Sequence, residues 1–135
     1  VSIGGDNGAV SAASGKWAFD APGLLDMLEE FPPHRIDEIG FGLIVMNRAG
    51  DVVGYNAFES KQSGLSVDRV MGRNFFSDVG PCTNNYLIAQ RFLDCDQLDE
   101  QLDYVFTYRM APTPVRLRLM ANAGSARQYL AVRYR

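Results

Sequence analysis

The run LDYVFTYRM, residues 102–110, sets Leu102, Tyr104, Phe106, Tyr108 and Met110 at every second position. Successive residues of a strand point to opposite sides, so a period of two over nine residues predicts a strand with one apolar face. The segments after it read the same way. VRLRLMANA (115–123) and QYLAVRYR (128–135) predict two further strands. Towards the N-terminus, GLIVMN (42–47) and VVGYN (52–56) flank a turn at RAGD, the pattern of a β-hairpin. Between hairpin and strands, Asn84 to Leu93 carries Leu87, Ile88, Arg91 and Phe92 at helical spacing and predicts a helix. The stretch from Ala57 to Asp78 reads as irregular, apart from one helical turn, Val67 to Met71, for which Ser66 offers a cap and Gly72 a stop.

Ahead of the hairpin, Pro22 to Phe31 predicts a short amphipathic helix with Leu24, Leu25, Met27 and Leu28 as its apolar members, stopped by Pro32-Pro33. The first nineteen residues are rich in Gly, Ser and Ala and read as a flexible tail. The order ββ, helices, βββ therefore predicts an α+β fold: a five-stranded antiparallel sheet, helices on one side, and an N-terminal helical cap on the outer face. The divisions expected are a tail over 1–19, a cap over 20–40 and a core over 41–135. The Tyr104–Phe106–Tyr108–Met110 stripe would face the helices, where a pocket would lie.

Composition narrows the function. The chain has 135 residues, enough for one domain with a real core, and 47% of them are hydrophobic against 21% charged. A net charge of −3 and scattered arginines argue against nucleic acid as a partner. No apolar run approaches the ~20 residues of a membrane span. The first residues lack the apolar stretch of a secretory leader. Two cysteines, Cys82 and Cys95, make neither a disulfide framework nor a zinc pattern, so a reducing, cytoplasmic setting is expected. The chain starts at Val1 and not at Met, which fits excision from a longer protein or processing. His34 reads as a solvated loop residue, and no nucleophile, histidine and acid combination assembles around it, so no enzymatic activity is expected.

Three features ask for an explanation. In NFFSDVGPCT (74–83), Cys82 follows Gly80-Pro81, which fixes the backbone and aims the thiol in one direction. It is either a small loop hydrophobe or a point of attachment; a redox or nucleophilic thiol would need a base or positive charge nearby. Cys95 reads as core or inert surface. Glu59, four residues past Tyr55, is either an exposed loop glutamate or a buried acid kept neutral by desolvation and able to donate a hydrogen bond. The aromatic stripe is sheet core or pocket wall.

The strings YNAFE (55–59), VMGRNFFSDVGPCT (70–83) and YVFTYRMAPTPV (104–115) closely resemble those of the photoactive yellow protein family, blue-light receptors with the PAS fold. The resemblance runs from about Ile36 to Arg135. It implies that Cys82 carries para-coumaric acid (4-hydroxycinnamic acid) as a thioester and that Tyr55 and Glu59 bond its phenolate oxygen. Ser63 stands where the family has a threonine that bonds the tyrosine. Phe75, Phe106, Tyr108 and Met110 match residues that line the chromophore. Leu65 replaces an arginine that shields the ring, so gating at this position is expected to differ. The implied function is light sensing: trans-cis isomerisation, then proton transfer from Glu59 and a signalling conformational change passed to a downstream partner or fused output domain. The alternative is a PAS module without chromophore, binding another small ligand or acting as a homodimerisation platform.

Overall fold

The computed structural model describes residues 18–107 and 111–135. Its frame is the hairpin of β1 (Gly42–Asn47) and β2 (Val52–Tyr55). Asn47 builds the turn: its Oδ1 accepts from the N–H groups of Ala49 and Asp51, both at 3.0 Å. Gly50 supplies the left-handed residue at φ 91°, which a side chain would resist, and the Phe76 ring leaves little room for one. Three long strands follow, β3 (Leu98–Phe106), β4 (Thr113–Ala121) and β5 (Arg127–Tyr134). All pairings are antiparallel, in the order β2-β1-β5-β4-β3, so the C-terminal strand fills the centre between the hairpin and β4.

Both faces of this sheet are apolar, and strand alternation sorts them. Ile44, Met46, Leu117, Leu119, Leu130 and Val132 point inward to a cluster with Phe75, Phe76, Ile88 and Phe92. Leu43, Val45, Met120, Tyr129 and Ala131 point outward and pack under Phe19, Phe31, Phe41 and the leucines of α1 (Leu24–Glu30). Helices α2 (Ala57–Ser63), α3 (Val67–Val70) and α4 (Ala89–Asp94) lie between β2 and β3 in sequence and roof the inner face. The expected α+β sheet with a helical side and an outer cap is the fold observed.

Several boundaries differ from the sequence reading, each for a local reason. α1 is shorter than 22–31 because Gly23, at φ 76°, sets its start. The stretch from Ala57 is not irregular: α2 is a two-turn helix capped by Asn56, whose Oδ1 accepts from Glu59 N–H at 3.0 Å, and closed by left-handed Gly64. Ser66 precedes α3 but makes no side-chain cap bond, and the helix ends at Val70. The helix expected over 84–93 is confined to α4, because the Asn85 side chain accepts from Leu87 N–H and folds 84–88 into a turn. Phe75–Val79 is a single π-helical turn and Pro81–Thr83 a 3₁₀ turn. β3 begins at Leu98, four residues before the expected strand, because it pairs with β4 along its length. Tyr108 and Met110, expected to continue its stripe, lie outside the described residues, as do residues 1–17 of the expected tail. Phe19, assigned to that tail, is buried against Phe41 with the rings edge to face.

The cap is held by grease and by one cation. Burying Leu24, Leu25 and Leu28 contributes roughly 1.5–3 kcal/mol each. Arg118, 5% exposed on the outer face of β4, adds orientation: its Nη1 donates to the carbonyls of Phe19 and Ala21, each at 2.9 Å. The rest of the guanidinium forms a two-bond fork with Asp99 at 2.8 and 2.9 Å. Tyr129 O–H donates to Glu29 and Arg127 to the Glu29 carbonyl, pinning the far end of α1.

Arg118→Ala is expected to cost about 2 kcal/mol, because it strands two carbonyls and leaves a half-exposed Asp99 without its partner. The loss should be local. Amide hydrogen exchange should quicken over Leu24–Glu30 while β4 and β5 stay protected; equal exchange in variant and parent would mean that the leucines hold the cap unaided.

Candidate functional site

The site begins with Asn56. It is fully buried, and its side chain binds four backbone groups. Oδ1 accepts from Leu43 N–H and Glu59 N–H at 3.0 Å each. Nδ2 donates to the Phe41 carbonyl at 2.8 Å and the Ile36 carbonyl at 3.3 Å. Strand β1, the start of α2 and the link from the cap therefore meet on one amide. Asp37 of the same link accepts from Ala57 N–H at 2.6 Å. With β2 ended and α2 started here, Tyr55 and Glu59 both turn into the interior.

Glu59 is 0% exposed. The Tyr134 O–H donates to its Oε2 at 2.7 Å. Its Oε1 lies against the α-carbon of Gly42; a β-carbon there would overlap that oxygen, so glycine at 42 makes the space that Glu59 fills. Tyr55, 2% exposed, donates to Ser63 Oγ at 2.9 Å, and Ser63 Oγ also accepts from Leu65 N–H at 3.1 Å. Burial pushes the Tyr55 phenol above its usual range; a charge on Glu59 would push the same way, and the Ser63 bond opposes them. A phenol so placed stays protonated and is a standing donor. Leu65 is half-buried and packs on the inner core.

Cys82 sits in the Pro81–Thr83 turn, half-buried against the inner core with its thiol free. The loop is tightly specified. Gly80 has no room for a β-carbon because the Phe75 ring stands 2.8 Å from where it would be, and Gly80 N–H donates to the Phe75 carbonyl at 2.7 Å. Thr83, fully buried, donates to the Gly80 carbonyl at 2.7 Å. The Cys82 carbonyl accepts from Tyr104 O–H and from Asn85 at 3.1 Å.

A chain of rings connects this loop to Glu59. Tyr104, on the Cys82 carbonyl, meets Phe106 edge to face at 6.4 Å, and Phe106 meets Tyr134 at the same separation. Phe75 and Phe106 are buried, at 1% and 2% exposure. Cys82, Tyr55, Glu59, Ser63, Leu65, Phe75 and Phe106 thus share the inner side of the sheet; Tyr108 and Met110 lie outside the described residues. Cys95, the C-cap of α4, packs partly buried on the same core. Among the described residues no group of three or more His, Cys, Asp or Glu could hold a metal, and no helix is long and apolar enough to cross a membrane.

Sequence reasoning missed two members of this site. Asn56 was legible as a cap from the Asn-x-x-Glu spacing ahead of α2. Tyr134 was legible from alternation, since Leu130, Val132 and Tyr134 fall on one face of β5.

No protein-family model matches the chain. Among curated proteins, a photoactive yellow protein of Rhodothalassium salexigens is 36% identical over 88 residues, 63% of this chain and 70% of that protein. Among solved structures, the photoactive yellow protein domain of the sensor histidine kinase Ppr from Rhodospirillum centenum has a TM-score of 0.71 at 35% identity, covering 82% of this chain and 97% of that one. A PAS domain of an HTR-like protein from Haloarcula marismortui has a TM-score of 0.58 over 82% of this chain and 100% of the other; at 13% identity this is a likeness of fold. The sheet, its roof of short helices and the sequence it shares with these relatives agree: the chain has the PAS fold and belongs to the photoactive yellow protein family.

Proposed function

We propose that the chain is a blue-light receptor that carries para-coumaric acid as a thioester on Cys82. The observation that supports this most is Glu59: a fully buried carboxyl beside a buried phenol, on the same side of the sheet as a free thiol. A bare scaffold has no use for that combination, since a buried acid costs several kcal/mol unless it has partners. The residues fit the group. Gly42 makes room for the Glu59 carboxyl and Gly80 for the Phe75 ring, Phe75 and Phe106 give apolar walls, and Tyr55 with a neutral Glu59 offers two O–H groups for one anionic oxygen. In attachment, the Cys82 sulfur bonds the acyl carbon of an activated coumaric acid, and the thiol proton leaves with the activating group. Tyr108 and Met110 would complete the lining.

When bound, the chromophore supplies a light-absorbing phenolate and a double bond that isomerises from trans to cis. The protein supplies the rest. Tyr55, turning its O–H from Ser63 Oγ to the phenolate while the Ser63 hydroxyl donates to Tyr55 in exchange, and Glu59 would hold the phenolate as an anion at neutral pH. Glu59 would be the proton donor to the phenolate oxygen after isomerisation: its O–H bond would break, the electron pair would stay on its carboxylate, and the proton would pass to the phenolate. A charged Glu59 at 0% exposure is expensive to keep, so the surroundings relax to hydrate it. The first elements to feel this are those tied to the start of α2. Asn56 and Asp37 bind that start to the link at Ile36–Phe41, so relaxation there loosens the cap over residues 20–40. Release of the cap uncovers the outer apolar face for a downstream partner, a second copy or a fused output domain. The photoactive yellow protein domain of a sensor histidine kinase is a precedent for the last of these. The two free cysteines fit a cytoplasmic setting for this role.

Attachment is tested by colour. After supply of activated coumaric acid, the parent and Cys95→Ser should turn yellow while Cys82→Ser should lose the visible band. Chromophore that stays on the Cys82→Ser protein under denaturing conditions would sink the thioester. A parent that never turns yellow would leave the fold as a PAS module for another ligand.

Tuning is read from spectra. Glu59→Gln keeps a weaker donor and should move the absorption maximum to longer wavelength. Tyr55→Phe removes a donor and should populate a blue-shifted, protonated form near neutral pH. Unchanged spectra in both would put the phenolate elsewhere.

Position 65 is read from kinetics. Leu65→Arg places a cation and five donors where the parent has only bulk. Recovery after a flash should change while the absorption maximum barely moves; identical recovery would mean that this side chain does not gate the pocket.

A further inference from the structure

The acid at the centre of the site has a second phenol on it. Tyr134 reaches Glu59 from β5, while Tyr55 approaches from β2. It is not part of the donor set proposed above. Its ring is packed edge to face on Phe106, which fixes the direction of its O–H, and it is only partly buried, the second-last residue of the chain. One end of this side chain therefore touches a fully buried carboxyl and the other lies towards the rim of the sheet.

A neutral carboxyl has two unlike oxygens. Its carbonyl oxygen is the better acceptor, and its hydroxyl oxygen is the one that can donate. Tyr134 donates to Oε2 at 2.7 Å, which favours Oε2 as the carbonyl oxygen. The proton then belongs on Oε1, the oxygen that lies over Gly42. When the proton leaves, the same Tyr134 bond becomes a bond to an anion and strengthens, to about twice the worth of a neutral one. The phenol thus stabilises the charged acid more than the neutral acid.

We propose that Tyr134 is a positioning residue for Glu59: it fixes which carboxyl oxygen bears the proton and lowers the cost of releasing that proton inside the protein. The functional meaning rests on the light-receptor reading; the clamp itself does not. In that reading Tyr134 makes forward proton transfer from Oε1 more favourable and prolongs the state in which Glu59 is charged. Among the described residues, Tyr55 from β2 and Tyr134 from β5 are ionisable groups brought to the carboxyl. Asp103 on β3 pairs with Arg135 and with Arg116.

The test starts with protein that carries no chromophore. The protonation of Glu59 is followed by its carboxyl infrared band, identified by subtraction of Glu59→Gln. Tyr134→Phe should raise the proton affinity of Glu59 roughly tenfold, as loss of a bond to a charged group implies. Replacing Tyr134 by 3-fluorotyrosine, a more acidic phenol and a stronger donor, should shift it the opposite way. The second substitution keeps the ring and its packing, so an answer survives even if the phenylalanine variant folds poorly. In coumaroyl-loaded protein, Tyr134→Phe should move the C=O stretch of neutral Glu59 to higher frequency and speed recovery from the deprotonated state by about tenfold. Unchanged proton affinity in both variants would overturn the clamp, and so would an unmoved C=O stretch in the loaded protein. A chromophore-free protein that behaves as expected, in a chain that never gains a visible band, would instead support the clamp and sink the light-receptor reading.

Discussion

The structure turns on the side-chain amide of Asn56. Its four hydrogen bonds join the first strand, the first turn of α2 and the link to the N-terminal cap. The Ile36 carbonyl also accepts from Ile39 N–H, but a buried group among the others left without Asn56 would cost about 1–3 kcal/mol. Nothing apolar could substitute, because the job is to satisfy donors and acceptors that face one another at a strand-to-helix corner. The corner in turn aims Tyr55 and Glu59. A residue with no direct part in the chemistry therefore decides whether the reactive side chains share a pocket.

That corner also explains how a sheet with two buried faces can act as a switch. The inner face is committed to a dense core with Phe75, Phe76 and Phe92, whose rings interlock. The outer face is covered by a short helix that three leucines and a few polar tethers hold down. A helix of seven residues has little stability of its own, so its place depends on the sheet beneath it. A bare charge in the inner core costs several kcal/mol, the same order as the burial that holds the cap. A change of charge at Glu59 is therefore large enough to disturb the cap, and Asn56 and Asp37 supply a bonded connection between them.

The polar chemistry of the interior is concentrated in one place. Tyr55, Ser63, Glu59 and Tyr134 are connected by hydrogen bonds or by charge, and the rings of Phe106 and Tyr104 carry the contact on to the Cys82 carbonyl. Groups held this closely in low dielectric feel each other strongly, so a proton moved at one of them is registered by the rest.

Alternation and turn chemistry were enough, by themselves, to determine five strands, their antiparallel sense and the side on which the helices lie, because a period of two admits one assignment of faces. The hairpin at Asn47–Asp51 and the stop at Pro32-Pro33 were equally local and equally legible. The motifs around Tyr55, Glu59 and Cys82 carry the family resemblance by themselves. The short helices resisted reading because four to seven residues give less than two turns of periodicity, and side-chain caps such as Asn56 and Asn85 set their ends. Whether Glu59 is exposed or buried was undecidable from its neighbours in sequence. Its burial comes from Gly42, seventeen residues away on β1, and from Tyr134 on β5, brought together when β5 inserts beside β1. Sequence carries what neighbours along the chain impose, and only tertiary structure decides what a strand from the other end delivers.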